Sequence, residues 1–475
     1  MTQTKLGLPG LLVVVALGVA LTANASADRR HLAVCAANPH YLQNAEGKPL
    51  FLLGAYAVMN PHLGPDTWRN FVDAVAGRMN YIRLETPLAI DYPWPQPYLR
   101  VPGSGLTSNG NEGKFDLTRF NENYWNNLRA FLRYAGQKGL CVHVALFDEI
   151  FTKRKPGCCG FGRNAFGNGN NVNTALIGDV DHDNDLAGTG PKEFYDSDAL
   201  YGRTSDPHRL AVAELQRAWV AKLLKETSDL PNVFYETGNE IRPPADWIEY
   251  WVDFIRARTK LPISDDAGEP FDPRTNLAHP VEAATWHNAY VGAGDELFRT
   301  FSRADYACGK VLISDTDGAP PGQAGNPEAN RMAAWLALVT GGGVWADYAE
   351  GIGCWESPWR ITRELSEEVR YFGYLLAFLN QSGIELQTMA PHDELTSKGR
   401  CLAAPGQQYL VYSRTGGTYT LDLSSAEGSL VAEWYNPRTG GFSSQENVAG
   451  GTPRTFSAPF RGDAVLWVHA GQKGS

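Results

Sequence analysis

The chain has 475 residues, enough for two or three domains, and with 43% hydrophobic and 20% charged residues it has the composition of a globular protein. Its formal net charge is −10, the acidic residues are scattered, and no Lys/Arg-rich run is present. This charge pattern argues against binding to nucleic acid or to an anionic membrane surface.

The N-terminal segment has the pattern of a secretory signal peptide. Lys5 precedes an apolar stretch over residues 6–21, and Ala25-Ser26-Ala27 forms a small-x-small cleavage pattern. The apolar stretch is short for a membrane span. We therefore predict a signal peptide over residues 1–27 and a mature chain that is secreted or periplasmic and does not contact the membrane. An uncleaved anchor is the alternative.

From residue 51 onwards, strand patterns alternate with helical patterns. The strand patterns cover residues 51–56, 81–87, 141–148, 232–240, 261–266, 282–287, 310–318 and 343–348. The helical patterns cover residues 66–80, 121–140, 206–230, 245–259, 294–307 and 327–342, with Asp66 as a plausible N-cap of the first. Strands that are apolar on both faces and separated by helices indicate a parallel sheet.

Eight such strands in about 300 residues predict a (β/α)₈ TIM barrel over residues 33–385. A doubly wound open sheet is the alternative. The first strand is not followed by a GxGxxG motif, which argues against this alternative. From about Gln387 the sequence pattern changes to short strands of alternating apolar and polar residues, separated by turns rich in Gly, Asn and Ser. This second pattern predicts an antiparallel β-sandwich domain over residues 386–472.

Acidic residues stand at the ends of two of the predicted barrel strands. Glu240 follows Asn239 at the end of the fourth strand, and Asp315 and Asp317 end the seventh. A carboxyl group at the carboxyl end of a barrel strand faces a cleft, where partial desolvation tunes its pKa for proton transfer. Glu240 could instead be a charge at a helix N-terminus, and the two aspartates an acidic turn or a helix cap.

Other polar residues leave two interpretations open. Asp148 and Glu149 end the third strand and either bind sugar hydroxyls or cap the loop after it. His143, on the same strand, fits a hydrogen-bonded core histidine better than a proton shuttle. The run of aspartates over residues 179–188 has calcium-like spacing but lacks the EF-hand glycine and glutamate, so we predict no metal site.

The motifs together resemble those of the 4/7 superfamily, or clan A, of retaining glycoside hydrolases, which includes the cellulase-like family 5. The resemblance is carried by "NAEGKPLFLLGAY", by "NYIRLE" on the second strand and by "GNE" on the fourth. The later "WYNPRTGGF" and "AVLWV" resemble a β-sandwich labelled a collagen-binding domain, which often follows such barrels.

The resemblance implies a role for several residues. Glu240 matches the general acid/base, and Asn239 matches the residue that contacts the sugar 2-hydroxyl. Arg83 matches the arginine that supports the nucleophile, and His287 matches a residue near it. Trp345 resembles the aromatic platform under the sugar.

This chain departs from the pattern at strand seven, where Asp-Thr-Asp replaces the usual glutamate. Aspartate is one methylene shorter, so an inverting mechanism with a wider gap between the carboxyl groups stays open. Asp317 is slightly favoured over Asp315 as the nucleophile, because it lies closer to the exposed strand end.

The sequence therefore predicts a secreted glycoside hydrolase that acts on a poly- or oligosaccharide without a cofactor. The alternative is a non-catalytic carbohydrate-binding or adhesion protein on a barrel scaffold. The substrate sugar, the disulfide pairing and the oligomeric state do not follow from the residues.

Overall fold

The computed structural model describes residues 31–58, 65–85, 88, 96–147, 154–155, 159–160, 164–180, 191–239, 241, 243–266, 280–287, 303–316, 326–347 and 363–471. The predicted signal peptide lies outside these residues. Within them, no helix is both long enough and apolar enough to cross a bilayer.

The strands are numbered in chain order. They are β1 (Ala33–Val34), β2 (Leu42–Gln43), β3 (Pro49–Leu50), β4 (Leu52–Val58), β5 (Tyr81–Glu85), β6 (Tyr98–Leu106), β7 (Glu112–Phe120), β8 (Cys141–Ala145), β9 (Arg154–Lys155), β10 (Cys159–Gly160), β11 (Val233–Asn239), β12 (Ile263–Asp266), β13 (Ala283–His287), β14 (Val311–Thr316), β15 (Val344–Asp347), β16 (Ala390–Pro391), β17 (Arg400–Ala404), β18 (Gln408–Ser413), β19 (Thr418–Leu421), β20 (Ser429–Asn436), β21 (Gly441–Ala449), β22 (Arg454–Ser457) and β23 (Ala464–Ala470).

The helices are numbered in the same way. They are α1 (Pro65–Val75), α2 (Glu122–Gln137), α3 (Thr174–Ile177), α4 (Ser197–Leu200), α5 (Pro207–Thr227), α6 (Ala245–Arg256), α7 (Arg303–Tyr306), α8 (Pro327–Val339) and α9 (Arg363–Gln381), with 3₁₀ turns at Leu386–Thr388 and Asp393–Leu395.

Eight parallel strands of the described chain close into a barrel, in the order β4, β5, β8, β11, β12, β13, β14 and β15, with β15 paired back to β4. These are the eight strand patterns that the sequence predicts. Every residue of β5, β8, β11 and β12 is buried, as expected for strands covered on both faces. The TIM barrel prediction is therefore confirmed, and the open-sheet alternative is wrong.

The amino-terminal end of the barrel is filled by apolar side chains and closed by a small sheet. Leu52, Tyr81 and Phe234 belong to one buried cluster inside the barrel. Leu32 and Leu42, from the segment that forms the antiparallel sheet β1–β3, pack into the same cluster. This closure leaves the opposite, carboxyl-terminal end of the barrel as the place where polar side chains collect.

Local capping explains where two predicted helices begin. The Asn121 side chain accepts a hydrogen bond from the backbone of α2, and Asp206 does the same for α5, which has proline in its first turn. Both helices end a few residues earlier than the sequence patterns suggest. For α1 the N-cap prediction is wrong, because the helix begins at Pro65 and Asp66 lies inside its first turn.

The sequence patterns did not predict the hairpin β6–β7, which is inserted between β5 and α2. Its strands pair antiparallel, with register shifts on both sides of the Leu99–Val101 segment. Only alternate residues of β7, such as Phe115 and Leu117, are buried. The pattern is difficult to recognise because glycines interrupt both strands.

The C-terminal domain is an antiparallel β-sandwich, as predicted. A six-stranded sheet has the order β16, β17, β18, β23, β20 and β21, and the pair β19–β22 covers one of its faces. The other face packs on the barrel. There Trp335 of α8 stacks on Tyr412 with 5.9 Å between ring centroids, and Phe378 of α9 lies 5.1 Å from Tyr435. The two domains therefore share one hydrophobic core.

Candidate active site at the carboxyl ends of the barrel strands

Polar side chains fill the barrel interior above the apolar base. In the first polar layer, His143 is fully buried and stacks on Phe234 with 4.1 Å between centroids. Its Nδ1 lies 2.8 Å from the Tyr81 hydroxyl and its Nε2 lies 2.6 Å from Ser264 Oγ. Burial, aided by the charge of Arg83, holds the pKa of His143 well below its usual range. His143 is therefore a neutral core histidine with both ring nitrogens engaged.

The second polar layer is a buried ion pair between Arg83 and Glu236. Both side chains are fully buried. Arg83 Nε donates to Glu236 Oε2 at 2.8 Å, its Nη2 donates to the same oxygen, and Thr285 donates to Glu236 Oε1 at 2.9 Å. A buried charge is tolerated only when it is paired and hydrogen-bonded. Glu236 meets both conditions and fixes the direction of the Arg83 guanidinium.

The third polar layer, nearest the mouth, is built around Asn239. Arg83 Nη2 donates to Asn239 Oδ1 at 3.1 Å, and Asn239 Nδ2 donates to Glu85 Oε1 at 3.0 Å. Asp266, at the end of β12, places Oδ2 3.7 Å from Arg83 Nη2. Asn239, Glu85 and Asp266 are all at least 95% buried. The structure therefore brings together two residues that the sequence assigned to the site, Arg83 and Asn239.

A break in the register of β11 directs Asn239 into the barrel. Glu236 lies opposite Ser264 and Asn239 lies opposite Asp266, so β11 has one residue more than β12 between these pairs. Regular alternation would place Asn239, three positions after Glu236, on the other face of the sheet. A side chain at Gly238 would require the buried side chain of Ile241 to move, since a Cβ there would lie 2.2 Å from Ile241 Cδ1.

The other predicted site residues are only partly described. Asp315 and His287 lie opposite each other in the pairing of β14 with β13, and only their backbone is described. Glu240, Asp317, Asp148 and Glu149 lie outside the described residues. The roles assigned to these six residues remain predictions, as does the expected support of the nucleophile by Arg83.

Trp345 does not lie where the resemblance implies. It is 2% exposed and packs in the cluster between the barrel and its helices, which also contains its strand neighbour Leu53. Val344, the preceding residue, faces the barrel interior. Since successive side chains of a strand point to opposite faces, Trp345 points out of the barrel and towards the surrounding helices. Its position does not fit an aromatic platform under a sugar.

Sequence reasoning missed Glu85, Glu236 and Asp266. A usable signal was present, because each is a carboxylate inside a strand whose pattern otherwise indicates burial, and Glu85 follows Arg83 by two positions. Charged residues in such strands need partners, and positions two apart share a face. What the sequence could not show was which charges meet.

Within the described residues, no group of three His, Cys, Asp or Glu side chains could hold a metal ion. The aspartate run with calcium-like spacing falls mostly in residues 181–190, which are outside the described part of the chain.

A cleft of about 570 Å³ lies at the amino-terminal end of the barrel and is lined in part by Lys48, Met79, Lys138 and Leu379. It is on the far side from the Asn239 network, and TIM-barrel active sites lie at the carboxyl end.

Two family descriptions match parts of the chain. Residues 92–263 match "Domain of unknown function (DUF6298)", and residues 387–469 match "Putative collagen-binding domain of a collagenase". No curated protein sequence matches the chain.

Three solved structures with a similar fold have titles that name glycoside hydrolases. One titled "Glycoside hydrolase" is 16% identical, with a TM-score of 0.60 and coverage of 94% of this chain and 98% of that one. A glycoside hydrolase family 5 structure from Bacteroides vulgatus ATCC 8482 is 14% identical, with a TM-score of 0.60 and 94% coverage of both chains. A family 5 mannosidase from Rhizomucor miehei is 13% identical, with a TM-score of 0.50 and coverage of 75% and 99%. The fold implied by the sequence resemblance is thus confirmed.

Proposed function

We propose that this protein is a secreted glycoside hydrolase that cleaves O-glycosidic bonds in a poly- or oligosaccharide with two carboxyl groups and retention of anomeric configuration. Glu240 is the general acid/base, and Asp317 or Asp315 is the nucleophile. Fold alone does not determine chemistry, so the proposal depends on the residues at the mouth.

The observation that carries the proposal is the placement of Asn239. Its amide lies at the carboxyl end of the fourth barrel strand, held by Arg83, which is itself fixed by Glu236. Glu240 is the next residue in the chain. An amide anchored in this way is preorganised to donate an N–H to a sugar hydroxyl, beside a carboxyl group suited to proton transfer.

The reaction has two steps in this proposal. In the first, the strand-seven aspartate attacks the anomeric carbon, the bond to the leaving oxygen breaks, and Glu240 transfers its proton to that oxygen. In the second, Glu240 takes a proton from water, the resulting hydroxide attacks the same carbon, and the aspartate leaves. Neither step consumes a cofactor.

Hydrolysis assays test the proposal directly. The wild type, Glu240→Gln, Asp315→Asn and Asp317→Asn are compared on aryl glycosides and plant polysaccharides, with mannosides included because one structural neighbour is titled a mannosidase. Glu46→Gln, at an exposed turn on the other end of the barrel, is the control. We expect turnover in the wild type and the control, and its loss in Glu240→Gln and in one aspartate variant. NMR of the first-formed anomer checks retention.

Two other results would contradict this assignment. Turnover that survives in Glu240→Gln on every substrate would exclude Glu240 as the acid/base. A wild type that binds oligosaccharides but hydrolyses none of the panel would favour the non-catalytic carbohydrate-binding alternative. Secretion is tested separately by N-terminal sequencing of the exported protein, which we expect to begin near Asp28.

A further inference from the structure

We propose that Glu85 is a positioning residue that sets the orientation of the Asn239 amide. This inference rests on the function proposed above for its catalytic consequence, but the positioning itself can be tested without activity. Glu85 ends β5 on the same face as Arg83, is 1% exposed, and accepts a 3.0 Å hydrogen bond from Asn239 Nδ2.

Arg83 and Glu85 together impose one orientation on the Asn239 amide. The Arg83 guanidinium can only donate, so the amide oxygen must face it, and the structure has Oδ1 there at 3.1 Å. A carboxylate can only accept, so the amide nitrogen must face Glu85. Exchanging the oxygen and the nitrogen would set donor against donor on one side and acceptor against acceptor on the other.

Charge balance for Arg83 does not require Glu85. The guanidinium already makes two hydrogen bonds to the buried carboxylate of Glu236. A second buried carboxyl group at this depth costs stability unless it is hydrogen-bonded. Glu85 meets this condition through its hydrogen bond from Asn239, which ties the two side chains together at the mouth of the barrel.

This arrangement has a consequence for substrate recognition. The hydrogen bonds to Arg83 and Glu85 hold the oxygen and the nitrogen of the Asn239 amide on fixed sides, so Glu85 sets the side on which this amide presents its donor group. Glu85 thereby favours a substrate that offers an acceptor oxygen at this place. It acts through Asn239 and does not itself transfer a proton.

The matched variants are Glu85→Gln and Glu85→Ala. Glutamine has the same length and keeps an acceptor oxygen while losing the charge, so a positioning role should survive it. A role as proton donor, or as a negative charge that acts on the substrate, would be lost in Glu85→Gln. Alanine removes the acceptor altogether. Glu46→Ala, an exposed glutamate at the other end of the barrel, controls for the substitution itself.

The structural arm is a set of crystal structures of the wild type, Glu85→Gln and Glu85→Ala. We expect the Asn239 side chain to keep its place in the wild type and in Glu85→Gln, and to leave it or become disordered in Glu85→Ala. An Asn239 side chain with the same rotamer and the same contact to Arg83 in all three would overturn the proposal. This arm remains decisive even if the wild type hydrolyses nothing, an outcome that would count against the proposed function alone.

The kinetic arm uses a cleaved aryl glycoside and its 2-deoxy analogue. With the 2-hydroxyl present, Glu85→Ala should lower kcat/KM by about 10- to 100-fold, as expected when a positioned hydrogen bond is lost, and Glu85→Gln by less than about threefold. With the 2-deoxy analogue, both variants should stay within about threefold of the wild type. Glu85→Ala combined with Asn239→Ala should lose no more than Asn239→Ala alone. Equal losses on both substrates, or additive losses in the double variant, would refute the role through Asn239.

Discussion

Removal of one carboxylate between the two domains should weaken the whole molecule. Arg331 of α8 and Asp463, just before β23, are each 2% exposed. Arg331 Nε donates to Asp463 Oδ2 and its Nη2 donates to Oδ1, both at 3.0 Å, and the Tyr412 hydroxyl donates to Oδ2 at 3.2 Å. Asp463→Ala leaves a guanidinium buried between the barrel and the sandwich without this partner.

The expected loss is large because the pair is buried. Removal of one member of such a pair costs about 3–5 kcal/mol of unfolding free energy. The shift in Tm depends on how much of the chain unfolds together. With about 2.1 cal/mol/K of unfolding entropy per residue, the loss shifts a single transition of the roughly 450 residues that follow the predicted signal peptide by about 3–5 °C. If the sandwich, roughly 80 residues, unfolded alone, the same loss would shift its own transition by about 20–30 °C.

Differential scanning calorimetry at one scan rate distinguishes these cases. Since the domains share one core, we expect a single transition that moves by the smaller amount in Asp463→Ala. The double variant Arg331→Met/Asp463→Ala removes both charges and should recover at least half of the loss, because a buried pair is replaced by apolar groups at little cost. Glu427→Ala, at an exposed position of the same domain, should leave Tm within about 1 °C.

Two results would refute this reasoning. An Asp463→Ala protein as stable as Glu427→Ala would show that the pair contributes nothing. A separate small transition that alone moves by tens of degrees would show that the sandwich unfolds independently of the barrel, contrary to the shared core.

Three further predictions follow from single positions. Gly54→Ala should destabilise the barrel by about 3 kcal/mol or more in urea unfolding, because a Cβ there would lie 1.8 Å from the backbone oxygen of Tyr81. Gly441→Ala is the control: a Cβ at that position meets no atom within 4 Å, so the free energy of unfolding should change by less than about 1 kcal/mol. His143 stays neutral in the folded protein because burial lowers its pKa. Below about pH 6.5 only the unfolded state binds a proton at this histidine, so the free energy of unfolding should fall with decreasing pH by up to about 1.4 kcal/mol per pH unit. His143→Gln should reduce that slope, and an unchanged slope would contradict the assignment. Burial raises the pKa of the Cys141 thiol to about 12. Peptide mapping after iodoacetamide treatment should therefore find Cys141 alkylated in urea and unmodified in the native protein. Rapid alkylation of the native protein would be inconsistent with the place of Cys141 inside the barrel.

Local patterns in the sequence were sufficient to predict the architecture. Strand runs that are apolar on both faces, separated by helical spacing, predicted the eight-stranded barrel, and the change to short alternating strands predicted the sandwich. Asn121 and Asp206 are N-caps because a capping side chain bonds backbone only two or three residues ahead. Hydrophobic periodicity and capping act over a few residues, so a single sequence carries them.

The site was predicted less completely, because its geometry depends on contacts between distant parts of the chain. Arg83 reaches Glu236 across 153 positions, and Asn239 reaches Glu85 across 154, through strands that become neighbours only when the barrel closes. Alternation along β11 would have turned Asn239 outward, and only the shifted register against β12 directs it inward. Trp345 was misplaced for a related reason, since the closed barrel decides which face of β15 meets the helices. The sequence by itself determined the eight barrel strands, most of the helices between them and the change to a β-sandwich, whereas the tertiary structure decided which charges meet, because that depends on register and closure rather than on neighbouring residues.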